Sequence, residues 1–220
     1  MALMDEFKEE REKIKDGTLK EKLSYFWDYY KWYVIVPLIV IIFLGTTIYQ
    51  KVTAPEVILN GVLINAHNIE ADTARNKLGA DFLKNIEMDA EEYAVTLNTS
   101  LSYVDDTDSA SSNYESMQAL MAWIAAGSID FLCGDYDTMM ALSNHEYFLD
   151  LREVLNEEQI KKYEPYFLYT DKNVPIMIDL SKNPKLENIF IDSDTLALGI
   201  TVNCPNQNTL IKFIDFLIEK

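Results

Sequence analysis

The sequence predicts an α/β domain with a mostly parallel sheet flanked by helices, preceded by an N-terminal transmembrane helix. Three observations carry that expectation. Residues 32–48 form a seventeen-residue run without a charge. From residue 56 onward, short strand-like segments alternate with amphipathic helical ones, as in chains that build parallel sheets through helical crossovers. The charge is also split. Residues 1–51 hold eight Lys/Arg and eight Asp/Glu, whereas residues 52–220 hold eleven and twenty-eight, and so carry the whole net charge of −17.

The apolar run decides the topology. A helix of seventeen residues rises roughly 25 Å, close to a ~30 Å hydrocarbon core. Trp27, Tyr29, Tyr30, Trp32 and Tyr33 lie at its start and Tyr49 at its end, in the manner of interfacial aromatics. Lys31 and Lys51 bracket it and can snorkel. A buried core helix explains the run but not these belts. A cleaved signal peptide needs a short basic start, and here more than thirty mixed-charge residues come first. Val52-Thr53-Ala54 resembles a cleavage site, but Pro55 would follow the cut and remove an N–H. The expected organisation is therefore juxtamembrane helices over 1–31, a span over 32–49, a linker over 50–55 and an extracytoplasmic domain over 56–220. Seven basic residues precede the span, while only Lys51, Arg75 and Lys77 occupy the thirty residues after it. That asymmetry predicts a single-pass protein of the cell membrane with a cytoplasmic N-terminus and an extracytoplasmic C-terminal domain.

Residues 4–16 read as a short charged helix stopped by Gly17. Thr18 and Glu21 then form a capping box. The helix they open puts Leu19, Leu23, Phe26, Trp27 and Tyr30 on one face, expected to lie among inner headgroups before the chain turns into the span. A continuous helix with no role beyond anchoring is the plainer alternative.

In the domain, 56–64 is a strand interrupted at Asn60-Gly61. Residues 72–86 form a helix capped by Asp72, and 93–103 a second strand. After a polar loop, 113–127 form a helix with Met117, Leu120, Met121 and Ile124 inward and Gly127 as its C′ residue. A short buried strand (128–134) follows. Asn156 and Gln159 make another capping box. Residues 174–180 and 195–203 are strands. The last helix turns Leu210, Phe213, Ile214 and Leu217 to the core.

Chemistry-bearing motifs are scarce. The serine-hydrolase elbow, the zincin pair, the phosphate loop and the dinucleotide fingerprint are all missing. His67 and His145 stand apart, and two cysteines make no zinc site. The loop from Asp106 departs from a calcium loop at Ala110, Ser111 and Met117. No cofactor, metal or enzymatic activity is expected, although a scattered serine triad would escape this reading. A domain this acidic repels phosphate backbones, which argues against nucleic acid. Cys133 and Cys204 each end a strand. Neighbouring parallel strands would bring them within reach of a disulfide; otherwise they are reduced core thiols.

Residues 128–167 carry a recognisable order. A strand ends at Cys133, Gly134-Asp135 turn, a helix runs through Met139 and Leu142, and "FLDLREVL" and a capped helix follow. With "VPIMIDLSKNPKL" and the tail from Leu196, this stretch resembles the extracellular solute-binding proteins of ABC importers, over roughly 115–220. The chain also looks like uncharacterised single-pass membrane proteins of Gram-positive bacteria. The first resemblance implies a reduced, membrane-anchored relative with a periplasmic-binding-like fold. A small-molecule ligand (sugar, peptide or amino acid) would sit by Asp135, Tyr136 and Asp137, with Trp123 nearby, and a membrane transporter would be the partner. Asp135 acting only as a helix cap, with Tyr136 packing beside it, is the other reading of that turn. An interaction subunit without a cleft, docking another membrane protein, is the alternative function.

Overall fold

The structure, a computed structural model, describes residues 18–66, 70–103, 110–191 and 194–219. The charged helix expected over 4–16, His67 and most of the acidic loop from Asp106 lie outside the described residues. The chain divides after Ala54 into two compact units.

In the first unit, α1 (Leu19–Thr53) begins directly after Thr18 and runs unbroken for 35 residues, about 52 Å at the helical rise. This corrects the expected turn between a headgroup helix and the span, and it carries helix through most of the expected linker. Such continuity is cheap because Pro37 and Gly45 are the only strong helix breakers in 19–53, and Pro37 costs one hydrogen bond. Lys31–Tyr49 is long and apolar enough to cross a membrane, with mean hydropathy 2.1 and none of it buried. The hydroxyls of Thr46 and Thr47 donate to the Phe43 carbonyl at 2.9 and 2.8 Å. Polar groups in the apolar stretch are thereby satisfied within the helix itself.

The second unit is one six-stranded sheet between two helical layers. In chain order it contains β1 (Glu56–Leu63), α2 (Ala71–Asn85), β2 (Tyr93–Asn98), α3 (Ala110–Ala125), β3 (Phe131–Asp135) and α4 (Tyr136–Ser143). Then come α5 (Leu151–Val154), α6 (Glu157–Tyr163), β4 (Phe167–Tyr169), β5 (Pro175–Asp179), β6 (Leu196–Ile200) and α7 (Gln207–Ile218). The strands lie in the order β2-β1-β3-β6-β5-β4.

The sheet is mixed, with three of its five strand pairings antiparallel, which corrects the expected mostly parallel one. β1 pairs in parallel with β2 and β3, but β6 runs antiparallel to both β3 and β5, and β4 antiparallel to β5. Side-chain alternation sets which face a residue occupies, not which way its strand runs. Direction comes from the connections. β4 and β5 are joined by a tight turn in which Val174 N donates to Thr170 Oγ1 and Thr170 N to the Val174 carbonyl. A turn this short permits only antiparallel pairing.

Alternation does sort the core. Leu59, Leu63, Phe131, Cys133, Leu196, Leu198 and Ile200 join Phe82, Phe213 and Ile214 on the α2–α7 face. Val62, Leu132 and Ala197 join Leu120, Ile124, Met139 and Leu142 on the α3–α4 face. Gly61 interrupts the β1 pattern for a steric reason: a Cβ there would lie 2.2 Å from the Phe131 ring. Local signals held at several helix ends. Asn156 and Gln159 complete their box with both bonds at 2.9 Å. Gly127 stands at φ 59°, and Ser128 N bonds the Trp123 carbonyl beyond it. Asp72 does not cap α2, which starts one residue earlier; it sits in the first turn and pairs with Arg75 at 2.9 Å.

Candidate functional site

The connections from β1 diverge. α2 covers one face of the sheet on the way to β2, and α3 covers the other on the way to β3. The finishing ends of β1 and β3 therefore flank a topological switch point, where open α/β sheets place ligands. The Asp135–Asp137 turn is at this end.

Asn65, two residues past β1, occupies the centre. Its backbone has φ 61°, a left-handed conformation that Asn tolerates better than most residues. Its Oδ1 accepts from Tyr103 N at 2.8 Å. Its Nδ2 donates to the Tyr103 carbonyl at 2.8 Å, to Asp135 Oδ2 at 3.0 Å and to Thr138 Oγ1 at 3.2 Å. The other carboxylate oxygen of Asp135 accepts from Thr138 N at 2.9 Å and caps α4. One amide thus ties the segments after β1, β2 and β3 together. The groups that could have greeted a ligand are spent on each other. Among the described residues, a hollow of about 10 Å³ between Ile64, Leu101, Met117 and Leu142 holds a water at most.

Of the residues picked out in sequence, Asp135 is the cap. Tyr136 is 36% exposed, with its N–H on the Thr195 carbonyl, and Asp137 is exposed in the first turn of α4. Trp123 is elsewhere. It packs half-buried against the α3–α4 core, and its carbonyl meets Ser128, before β3 begins. It belongs to the starting end of the sheet, opposite Asp135.

That opposite end holds a constellation the sequence did not reveal. Asp130 is fully buried. Its Oδ2 accepts from Asn60 N at 2.7 Å, and its Oδ1 from Asn206 N at 2.7 Å and from the Cys204 thiol at 3.3 Å. The Thr201 hydroxyl caps the Ile129 carbonyl at 2.7 Å. The carboxylate anchors the β6–α7 connection to β1 without a cationic partner. A lone acid opening the apolar run 129–133 was the available signal.

The cysteines are both free. Because β6 runs antiparallel to β3, the two strands finish at opposite ends of the sheet, and the bridge drawn for parallel neighbours has no basis. Burial pushes each thiol up to about 12, and for Cys204 the Asp130 carboxylate adds to it. Burial and the Asp215 carboxylate raise the Tyr163 hydroxyl. These perturbed groups do not gather in one cleft, and among the described residues no three acidic, His or Cys side chains cluster as a metal site. A wider, open groove of about 480 Å³ runs between α2 and the 184–188 loop, with Thr73, Lys77, Asp81, Lys185 and Phe216 along it.

No family model matches the chain. No curated protein matches it either. Among solved structures it is similar to the ABC substrate-binding protein Lmo0181 from Listeria monocytogenes, in complex with cycloalternan. The identity is 14% and the TM-score 0.33, over 57% of this chain and 29% of that one. The chain thus spans less than a third of that protein's length.

Proposed function

We propose that this chain is a membrane-anchored, extracytoplasmic interaction module, a single α/β lobe that serves another membrane protein as an accessory and neither catalyses a reaction nor encloses a solute. The observation that carries this reading is the Asn65 clasp. A lobe built to hold a small ligand keeps convergent polar groups open at its switch point. Here the amide of Asn65 spends its hydrogen bonds on Tyr103, Asp135 and Thr138. The apolar, unburied Lys31–Tyr49 segment supports the anchor, and the excess of basic residues before it supports an inward N-terminus.

The test is a thermal-shift screen of the full chain in nanodiscs against sugars, peptides and amino acids. An unchanged melting temperature across the panel is expected. A saturable rise with concentration of any one ligand means a binding site exists and overturns the reading. Protease added outside intact cells should remove the domain; digestion only from the cytoplasmic side reverses the topology.

A further inference from the structure

The two edges of the sheet are not alike. β4 is three residues long, and its pairing with β5 slips between Leu168 and Tyr169. Short length and irregular pairing are ways in which proteins blunt an edge. β2 has neither. It runs for six residues, Tyr93–Asn98, without a charge, a proline or a glycine, and the extra residue in its pairing, Ile58, belongs to β1. Glu56 N bonds the Glu92 carbonyl, so by alternation along the parallel ladder the backbone groups of Tyr93, Val95 and Leu97 face away from β1. The two ends of this outer row are taken. Tyr93 N donates to the Asp89 carbonyl at 2.9 Å, and the Arg75 guanidinium donates to the Leu97 carbonyl. Between them, the Tyr93 carbonyl, the N–H and carbonyl of Val95 and the Leu97 N–H have no hydrogen-bond partner among the described residues.

We propose that this edge takes an extended, basic segment of the protein that the module serves, added as a further strand beside β2. The inference deepens the accessory reading above and rests on it. An unspent row of backbone groups is a template for an extended chain of any sequence. Charge then selects the chain. Glu87, Asp89, Glu91 and Glu92 fill four of the six positions before β2, all exposed, and Glu56 stands in register with Tyr93. The bond from Tyr93 N to Asp89 brings this acidic turn to the start of the open row. On α2, Arg75 is paired with Asp72 and Lys77 with Asp81, which leaves Lys84 against five carboxylates. Lysines or arginines at the end of an incoming strand gain from this field, whereas a second copy, with its own −17, is repelled.

The test is fluorescence anisotropy of a dye-bearing peptide of alternating valine and threonine with lysines at both ends, titrated with the full chain in nanodiscs of zwitterionic lipid. Saturable binding that weakens as salt rises is expected, with a glutamate-ended peptide weaker by roughly ten-fold or more. Val95→Pro removes an outward N–H and keeps the ladder to β1, so it should weaken the peptide by roughly ten-fold or more at an unchanged melting curve. Glu91→Lys with Glu92→Lys, both exposed and outside the strand, should weaken it by roughly three- to ten-fold, and this variant decides if Val95→Pro does not fold. No binding at the highest soluble concentration overturns the proposal. So does equal binding of the peptide N-methylated at every residue, which would be held by charge alone. A dimer of the chain in sedimentation velocity that Val95→Pro abolishes gives the edge to a second copy and also overturns it. These failures fall on the edge alone, whereas the accessory reading falls to a small ligand that raises the melting temperature.

Discussion

The Nδ2 of Asn65 lies 3.0 Å from Oδ2 of Asp135, so one contact joins the end of β1 to the cap of α4. Replacing Asn65 by Ala removes this bond with its companions and places a Cβ-bearing residue without a polar side chain in a left-handed backbone. Urea unfolding should show a loss of about 2–3 kcal/mol for Asn65→Ala. Asn65→Gly relieves the backbone and should recover about 1 kcal/mol of that loss. Equal losses in the two variants would mean that backbone strain plays no part.

Much of the domain was legible because it rests on local chemistry. The Asn156–Gln159 box, Gly127 and the α7 stripe of Leu210, Phe213, Ile214 and Leu217 each follow from neighbours in sequence. Strand direction was not legible, since β6 takes its sense from a connection over 180–195 that contains no helix among its described residues. The clasp and the buried acid were hidden for a related reason. Asn65 meets partners 38 to 73 residues away, and Asp130 meets partners about 70 residues away on either side. Spacing along the chain says nothing about such pairs.

Asp130→Asn should be costly although it removes a charge from the interior. The carboxylate accepts on both oxygens, from Asn60 N and Asn206 N. An amide offers one oxygen and turns its NH2 toward a donor. A loss of about 2–4 kcal/mol in unfolding free energy is expected, with amide exchange accelerated at Asn60 and Asn206. A neutral substitution would show that water replaces those bonds.

Gly61→Ala should destabilise by about 1–3 kcal/mol, because its methyl group would meet the Phe131 ring. Shrinking that ring in the double variant Gly61→Ala/Phe131→Leu should cost less than the two single changes added together. Strict additivity, measured by calorimetry, would mean that the ring moves aside freely.

The thiols give the stability a pH dependence at the alkaline end. Both are raised by burial from 9.0 to about 12, so the folded chain keeps protons that the unfolded chain loses. Their contribution is complete below pH 9 and declines as pH climbs from 9 toward 12. Unfolding free energy should fall more steeply over that interval in the native chain than in Cys204→Ala. Parallel curves would place the Cys204 thiol in contact with solvent.

β6 is the last strand in the chain and yet lies inside the sheet, between β3 and β5. Until Leu196–Ile200 is in place, the β1–β3 half and the β4–β5 hairpin have no shared edge, so the sheet cannot close without that strand. A chain stalled before residue 196 would leave two open strand edges, ready for a chaperone or for aggregation.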